Sequence, residues 1–212
     1  MILIDSAKFE EVARAMELGY VTGVTTNPLL MAQAAAPVEK VITELCRVAR
    51  GPVFYQLTGA DHQARKDEGK RMFDLCPERV VLKIPATSEN MRLVAELSPG
   101  IPCAVTAVYA AHQAWVACEA GAGYVIPYLN RATRLQGDGM ALVADLVDVV
   151  EECGTGTEVL VASVKTPAEA ASAVLAGAHH LTLPLDIILK LGDHPLTEQA
   201  VAEFNRAAAR GY

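Results

Sequence analysis

The sequence lacks the features that mark several common classes of protein. No uncharged apolar run reaches the length of about 18 residues that a membrane-spanning helix needs, so we expect no membrane partner. The net charge is −7 and no basic run occurs, so we do not expect the protein to bind nucleic acid. The first residues have neither the basic region nor the long apolar region of a signal peptide.

Cysteine and histidine are too scattered to predict a disulfide framework or a metal site. The chain has 212 residues with five cysteines, an odd number without any CxxC pair, which indicates reduced thiols in a cytoplasmic protein. The five histidines form no ligand set, and GxGxxG and Walker-type loops are absent. We therefore expect no metal and no organic cofactor.

What the sequence does have is a strict alternation of apolar strands and amphipathic helices. Such alternation predicts a parallel sheet with helical crossovers, and eight units favour a closed (β/α)8 TIM barrel, an α/β fold. We expect one domain over residues 1–212, with 195–212 as an additional C-terminal helical tail. The predicted strands cover residues 1–5, 23–27, 53–57, 80–84, 102–108, 124–129, 158–163 and 181–183.

Three local signals complete this prediction. Ser6 is expected to cap the first helix, because serine side chains accept hydrogen bonds from free amides at helix starts. Pro28 is expected to end the second strand. Residues 130–139 are polar and are expected to form a loop before the next helix.

The stretch VVLKIP at residues 80–85 places one lysine, Lys83, near the end of an apolar strand. A buried ammonium is costly, and a lysine in an apolar pocket tends to lose its proton and become a nucleophile. The alternative is a lysine that extends out to solvent at the strand end. The stretch alone leaves both interpretations open.

Polar residues also occur at the ends of the other predicted strands, where barrels carry their chemistry. Each alone is more typical of a structural role, such as a cap, a strand former or a rim aromatic. Strand alternation predicts that the polar residues face the barrel mouth above an apolar layer. The set comprises Asp5, Asn27, Gln56, Thr106, Tyr128 and Ser163, with Arg131 shortly after strand six. Together with Lys83, it favours Schiff-base chemistry on a ketone or aldehyde.

Several motifs resemble those of the small-subunit transaldolase family, and the resemblance spans almost the whole chain. They are GVTTNP at 23–28, VLKIP at 81–85, TAVY at 106–109, PYLNR at 127–131, ASVKTP at 162–167 and TLPL at 182–185. Members of this family are class I aldolases or transaldolases on a (β/α)8 barrel. The resemblance therefore implies an enzyme that acts on a sugar phosphate or another keto or aldehyde substrate.

The resemblance also implies roles for single residues. Lys83 would form the Schiff base, and Asp5 would orient substrate hydroxyls and assist proton movement. Asn27 would bind a hydroxyl of the keto compound. Arg131 and Ser163 would hold the phosphate, with Lys165 near them. The substrate-binding set that we expect is Asn27, Thr26, Arg131, Ser163, Lys165, Ile126 and Ala104.

Gln56 and Tyr128 separate two branches of the family. Transaldolases generally have glutamate and phenylalanine there, whereas the fructose-6-phosphate aldolase branch has glutamine and tyrosine, with Thr106 completing a water site. The chain resembles the aldolase branch, with Lys83, Asp5, Tyr128, Gln56 and Thr106 as the catalytic set. Ile126 departs from the small residue of both branches, so we expect a narrower donor pocket that accepts hydroxyacetone at least as well as dihydroxyacetone.

Alternatives to the aldolase remain at this point. One is a transaldolase that moves a dihydroxyacetone unit between sugar phosphates, and another is a barrel that binds a sugar phosphate without catalysis. The family also forms pentamers or decamers, which implies a homo-oligomer. An apolar stripe on the tail helix at Ala200, Val201 and Phe204 is consistent with docking on a neighbour.

Overall fold

The strands of this protein pair in the order of the sequence, and the last strand closes on the first. The computed structural model describes residues 1–34 and 36–209, within which eight parallel strands form a closed barrel. The strands are β1 (Ile2–Asp5), β2 (Val21–Thr25), β3 (Val53–Gln56), β4 (Val80–Pro85), β5 (Cys103–Val108), β6 (Tyr124–Pro127), β7 (Glu158–Val161) and β8 (His180–Leu183). The predicted (β/α)8 barrel is confirmed.

Helices connect the strands on the outside of the barrel, and a final helix follows the eighth strand. They are α1 (Phe9–Glu17), α2 (Pro28–Gln33), α3 (Val38–Val48), α4 (His62–Asp74), α5 (Ser88–Leu97), α6 (Ala111–Glu119), α7 (Leu129–Gln136), α8 (Gly139–Cys153), α9 (Pro167–Leu175), α10 (Leu185–Ile188) and α11 (Pro195–Ala208). The C-terminal helix is thus confirmed, while residues 210–212 of the predicted tail lie outside the described residues.

Alternating side chains of the strands divide the apolar residues into two cores. One core lies between the strands and the surrounding helices and includes Ile4, Val24 and Leu82. The other fills the barrel itself and consists of Leu3, Phe54, Val81, Ala104, Ile126, Leu160 and Ala162. The inner core occupies the lower part of the barrel, so polar side chains above it form the mouth at the carboxyl ends of the strands.

Three local predictions were wrong. Pro28 opens α2 instead of merely ending a strand, because proline is well suited to the first helical turn and Asn27 caps it. Residues 129–136 form α7, whose buried face is supplied by Leu129 and Ala132. The first helix begins at Phe9, and Ser6 instead donates to a Glu11 carboxylate oxygen at 2.7 Å.

The helix α11 differs from the other long helices because none of its residues is buried. Leu196, Val201 and Phe204 are exposed by 68%, 48% and 69%. Among the helices of residues 1–34 and 36–209, none combines the length and apolar character needed to cross a membrane.

Candidate active site

A cavity of about 380 Å³ opens at the carboxyl ends of the strands. Its wall brings together residues from six different strand ends and the loops that follow them. The lining residues are Asp5, Asn27, Pro28, Leu29, Gln56, Lys83, Tyr128, Arg131, Ala162, Ser163 and Lys165. Eight of the twelve residues predicted from the sequence are in this set, and the other four lie directly behind or beneath it.

Lys83 lies at the inner end of the cavity with only 3% of its surface exposed. Its Nζ donates a hydrogen bond to the backbone carbonyl oxygen of Thr26 at 3.0 Å, which is a neutral partner. Burial lowers the pKa of the ammonium, and the charge of Asp5 opposes that shift. A buried lysine of this kind more readily supplies the neutral amine that a nucleophile requires.

Asp5 is held by a chain of threonine hydroxyls that crosses the inner wall of the barrel. Thr25 Oγ1 donates to Asp5 Oδ1 at 2.8 Å and lies 2.6 Å from Thr182 Oγ1. Both threonines are almost completely buried. The carboxylate therefore keeps a fixed orientation at the cavity wall, on the same side as the Lys83 amine whose pKa it influences.

Tyr128 contributes a phenol whose oxygen already accepts one hydrogen bond. Thr106 Oγ1 donates to it at 3.0 Å, which leaves the phenol O–H free to donate elsewhere. Burial raises the pKa of Tyr128, whereas the bond from Thr106 and the charge of Arg131 lower it. A phenol held in this way can donate a proton to a bound molecule and take it back.

Gln56 lies beside Lys83, because the two residues are paired across β3 and β4. The Gln56 Oε1 atom is buried and has no hydrogen-bond partner in the described residues. Leaving such an atom unpaired costs free energy, so a hydroxyl or water at this place in the cavity would be bound favourably.

Asn27 and Thr26 follow β2, but only Asn27 lines the cavity. Asn27 Oδ1 accepts from the backbone N–H groups of Leu29 and Leu30 at 3.0 and 3.1 Å, so it caps α2. The Asn27 amide NH₂ remains for a ligand in the cavity that it lines. Thr26 donates its hydroxyl to the Phe54 carbonyl oxygen and uses its own carbonyl to hold Lys83.

One end of the cavity carries positive charge. Arg131, in the first turn of α7, and Lys165, in the loop after β7, line it together with Ser163. The Ser163 backbone has φ 61°, a left-handed conformation that is uncommon for serine. Two cations and a hydroxyl at one end form an arrangement able to bind an anion such as phosphate.

Ser163 reaches this place by a different route from the one that we predicted. Alternation along the strand predicts that Ser163 faces the inside of the barrel, but β7 ends at Val161, and Leu160 and Ala162 are the inner residues. The turn in the backbone at Ser163 then brings this residue to the cavity.

Ala104 and Ile126 lie in the inner core of the barrel. Both are fully buried in the inner core, and Ile126 is paired with Thr106 across β5 and β6. They do not contribute to the lining itself.

Sequence reasoning missed Thr25 and Thr182, which hold Asp5. The signal was available for Thr182, since it is the polar inward position of the eighth strand and lies in the TLPL motif. Across residues 1–34 and 36–209, no cluster of three or more His, Cys, Asp or Glu side chains is arranged to hold a metal ion.

Comparison with known proteins identifies similar sequences over almost the whole chain. A family model described as Transaldolase/Fructose-6-phosphate aldolase matches residues 2–211. A probable transaldolase of Desulfotalea psychrophila is 37% identical over 202 residues, which cover 95% of this chain and 94% of that protein. A probable transaldolase of Sorangium cellulosum is 37% identical over 204 residues, covering 96% and 94% of the two chains.

Solved structures share the architecture at low sequence identity. A mandelate oxidase with benzoyl-formic acid has a TM-score of 0.63 and 17% identity, covering 90% of this chain and 66% of that chain. At this identity the likeness shows a common barrel fold and nothing about chemistry.

Proposed function

We propose, from the premise that this chain belongs to the transaldolase/fructose-6-phosphate aldolase family, that it is a metal-independent class I aldolase. The reaction is the cleavage or formation of fructose 6-phosphate, with dihydroxyacetone and glyceraldehyde 3-phosphate as the two fragments. Hydroxyacetone is an alternative donor. The observation that carries the proposal is the buried Lys83 amine, bonded to a neutral carbonyl and facing a cavity that also contains the Tyr128 phenol.

In the cleavage direction, the neutral Lys83 amine adds to the ketone carbon, and loss of water gives a protonated imine. A base then takes the proton from the hydroxyl two carbons away from the imine carbon. The bond between the carbon that bears this hydroxyl and the carbon next to the imine carbon then breaks. The hydroxyl oxygen becomes the aldehyde oxygen of glyceraldehyde 3-phosphate, which leaves, and the electron pair of the broken bond moves toward the imine nitrogen to form an enamine. The enamine that remains takes up a proton at carbon, and water releases dihydroxyacetone and the free amine.

The residues around Lys83 suit different steps of this reaction. Tyr128, with its free O–H, handles the protons, and Thr106 holds its oxygen in place. Asp5 orients substrate hydroxyls near the amine. The unpaired Oε1 atom of Gln56 accepts a hydrogen bond from a substrate hydroxyl or a water molecule. Asn27 binds a further hydroxyl of the keto compound with its amide NH₂.

The anion-binding end of the cavity suits the phosphate group. Arg131 and Lys165 supply charge and Ser163 a hydroxyl, and all three residues line the cavity. Phosphate binding by fixed cations is favourable, and it would orient the sugar chain toward Lys83.

A transaldolase is the second candidate, and the names of the relatives favour it, since those compared here are described as probable transaldolases. The chemistry is shared up to the enamine, which a transaldolase passes to a second aldehyde. We favour the aldolase because Tyr128 offers a proton donor that can protonate the enamine without an acceptor sugar. In addition, Gln56 is uncharged, whereas transaldolases generally have a glutamate at this position.

We also propose that the protein is a homo-oligomer in the cytoplasm. The support for association is α11, which has no buried residue and three exposed large apolar side chains. The support for the compartment is the set of five scattered cysteines, none of them paired.

Borohydride trapping tests the function. The protein is incubated with fructose 6-phosphate, reduced, digested and analysed by mass spectrometry for a three-carbon adduct on Lys83. Glyceraldehyde 3-phosphate released without an acceptor supports the aldolase, and release only with erythrose 4-phosphate would select the transaldolase. Absence of the adduct would exclude both. Lys83→Arg is expected to lose the adduct and EDTA to change nothing. Lys190→Met, at an exposed lysine that does not line the cavity, is expected to keep the adduct.

A further inference from the structure

Glu169 in α9 joins the two segments that carry the cations of the cavity. Its Oε1 accepts a hydrogen bond from Asn130 Nδ2 at 3.1 Å, and its Oε2 accepts from the backbone N–H of Lys165 at 2.7 Å. Asn130 directly precedes Arg131 in α7, so the carboxylate is bound on one side to each cation-bearing segment.

The same two segments also meet through their backbones. The N–H groups of Leu129 and Asn130 donate to the carbonyl oxygens of Ala162 and Ser163 at 2.9 and 3.0 Å. These bonds fix the start of α7 against the end of β7, but neither of them reaches Lys165. The Glu169 carboxylate binds the chain at Lys165.

Capping of α9 does not by itself explain the hydrogen bonds that the Glu169 carboxylate makes. The helix is already capped by Thr166, whose Oγ1 accepts from the Glu169 N–H at 3.0 Å. In a capping box the carboxylate would bind the N–H of Thr166 itself. Here it binds the residue before the cap and, in addition, a side chain of another helix.

Glu169 is not among the residues that line the cavity, so it does not contact a ligand there. The negative charge of a carboxylate close to an anion site weakens anion binding. The hydrogen bonds of the same carboxylate hold the two segments together, and they do not require the charge. The two effects can therefore be separated by substitutions that remove one and keep the other.

We infer that Glu169 is a positioning residue that sets the spacing of Arg131 and Lys165 and thereby the preference of the enzyme for phosphorylated substrates. This inference rests on the proposed function, because it assigns phosphate to that end of the cavity. It adds that the preference depends on a side chain that does not contact the substrate.

The test compares glyceraldehyde 3-phosphate with unphosphorylated glyceraldehyde as acceptors of dihydroxyacetone. Glu169→Ala is expected to raise KM for the phosphorylated acceptor about tenfold, and to change kcat/KM for glyceraldehyde less than about twofold. Glu169→Gln keeps the acceptor for the Lys165 N–H and removes the charge, and its NH₂ group can donate to Asn130 once the Asn130 amide turns to present its oxygen, so it is expected to keep at least the wild-type preference. Asn130→Ala removes only the bond to α7 and is expected to fall between the two.

Asp61→Ala is the matched control, because Asp61 caps α4 through the Ala64 N–H and does not line the cavity. It is expected to leave the preference unchanged. An equal loss for both acceptors in Glu169→Ala, or the same change of preference in Asp61→Ala, would overturn the inference. If Glu169→Ala does not fold, Asn130→Ala decides: an unchanged preference overturns the inference. A wild-type protein that gives no Lys83 adduct would instead defeat the proposed function.

Discussion

The guanidinium carbon of Arg131 lies 4.8 Å from the centre of the Tyr128 ring. A cation over the face of a phenol is attracted to it, and its charge also favours the ionised form of the phenol. The Tyr109 ring also contacts Tyr128, in an edge-to-face arrangement with the ring centres 6.1 Å apart. The residue that we propose for phosphate binding and the residue that we propose for proton transfer are therefore in direct contact.

This contact predicts that Arg131→Gln raises the pKa of Tyr128. The charge of Arg131 lowers that pKa in the wild type, while burial, Tyr109 and Asp5 raise it. Removing the cation leaves the raising effects unopposed apart from the bond from Thr106. The measurement is the phenolate absorbance during alkaline titration, with Tyr128→Phe subtracted to isolate this phenol among the six tyrosines.

The same shift is expected in the activity with unphosphorylated substrates, for which the phosphate contact of Arg131 is not needed. The alkaline limb of the pH–rate profile should move to higher pH in Arg131→Gln. A limb that stays in place, or moves to lower pH, would show that Arg131 does not influence the phenol.

Lys83→Met is predicted to abolish the Schiff base and at the same time to stabilise the fold. Among residues 1–34 and 36–209, the buried side chain has only a neutral carbonyl as its hydrogen-bond partner, so its charged form is costly. Replacing it by an apolar chain of similar length should raise the free energy of unfolding by roughly 0.5–2 kcal/mol near neutral pH. Urea denaturation measures this, with Lys165→Met as a surface control that is expected to show little change.

The pH dependence of this gain has a defined sign. The pKa of Lys83 is lowered in the folded state from its ordinary value of 10.5, so the unfolded chain binds more protons between the two values. Wild-type stability therefore gains from this lysine as pH rises through that window. The difference between Lys83→Met and the wild type should shrink as pH approaches 10.5. A constant difference would contradict the lowered pKa.

The barrel was predictable because its signals are local and repeated. Alternation of apolar strands with amphipathic helices predicts the topology, and the closed barrel then requires that strand ends meet at one face. That requirement alone places Lys83, Gln56 and Tyr128 around one cavity, as the structure does.

The errors occurred where a residue leaves the regular repeat. Ser163 has a left-handed backbone just after its strand ends, so period-two alternation no longer describes it. The helix α2 was not predicted, because its six residues give too short a helical pattern to recognise. The hydroxyl chain of Thr25 and Thr182 depends on contact between β2 and β8 side chains that are 157 positions apart, which no local pattern encodes.

That hydroxyl chain gives a third prediction, which concerns the rate of Lys83 adduct formation in two isosteric variants. Thr25→Val removes the donor to Asp5, whereas Thr182→Val removes only the second hydroxyl of the chain. A hydrogen bond to a charged group is worth about 1.5–3 kcal/mol and a neutral one about 0.5–1.5 kcal/mol. We expect the rate of Lys83 adduct formation to fall more in Thr25→Val than in Thr182→Val, while KM for the phosphorylated acceptor stays constant in both.

Rapid mixing with dihydroxyacetone followed by borohydride quenching measures the rate. Equal rates in both variants and the wild type would mean that the orientation of Asp5 does not affect the amine.

The exposed stripe of α11 predicts that one new charge there weakens association. Phe204→Glu places a carboxylate within the patch of Leu196, Val201 and Phe204, all of them exposed in the single chain. Burying that charge in a contact between subunits would be costly, so the mass measured by light scattering should fall. Asn205→Glu adds the same charge beside the stripe and should leave the mass unchanged. A monomeric wild type would contradict the proposed oligomer.

Ile126 gives the last prediction, which concerns the choice of donor. The side chain is fully buried and packs in the inner core with Phe54, Val81 and Ala104, on the strand position paired with Thr106. It therefore lies next to Thr106 and just before Tyr128 in the chain, beneath the cavity. Ile126→Ala is expected to deepen the cavity near the donor and to raise the ratio of kcat/KM for dihydroxyacetone over hydroxyacetone.

The substitution also removes buried carbon, so it should destabilise the fold by about 2–5 kcal/mol, and Ile126→Val by about 0.5–1.5 kcal/mol. Ile42→Ala is the matched control, because Ile42 is equally buried but lies in the outer core on α3. It should lose similar stability without a change in donor ratio. If Ile126→Ala and Ile126→Val leave the ratio unaltered, or if Ile42→Ala alters it as much, Ile126 does not determine the donor.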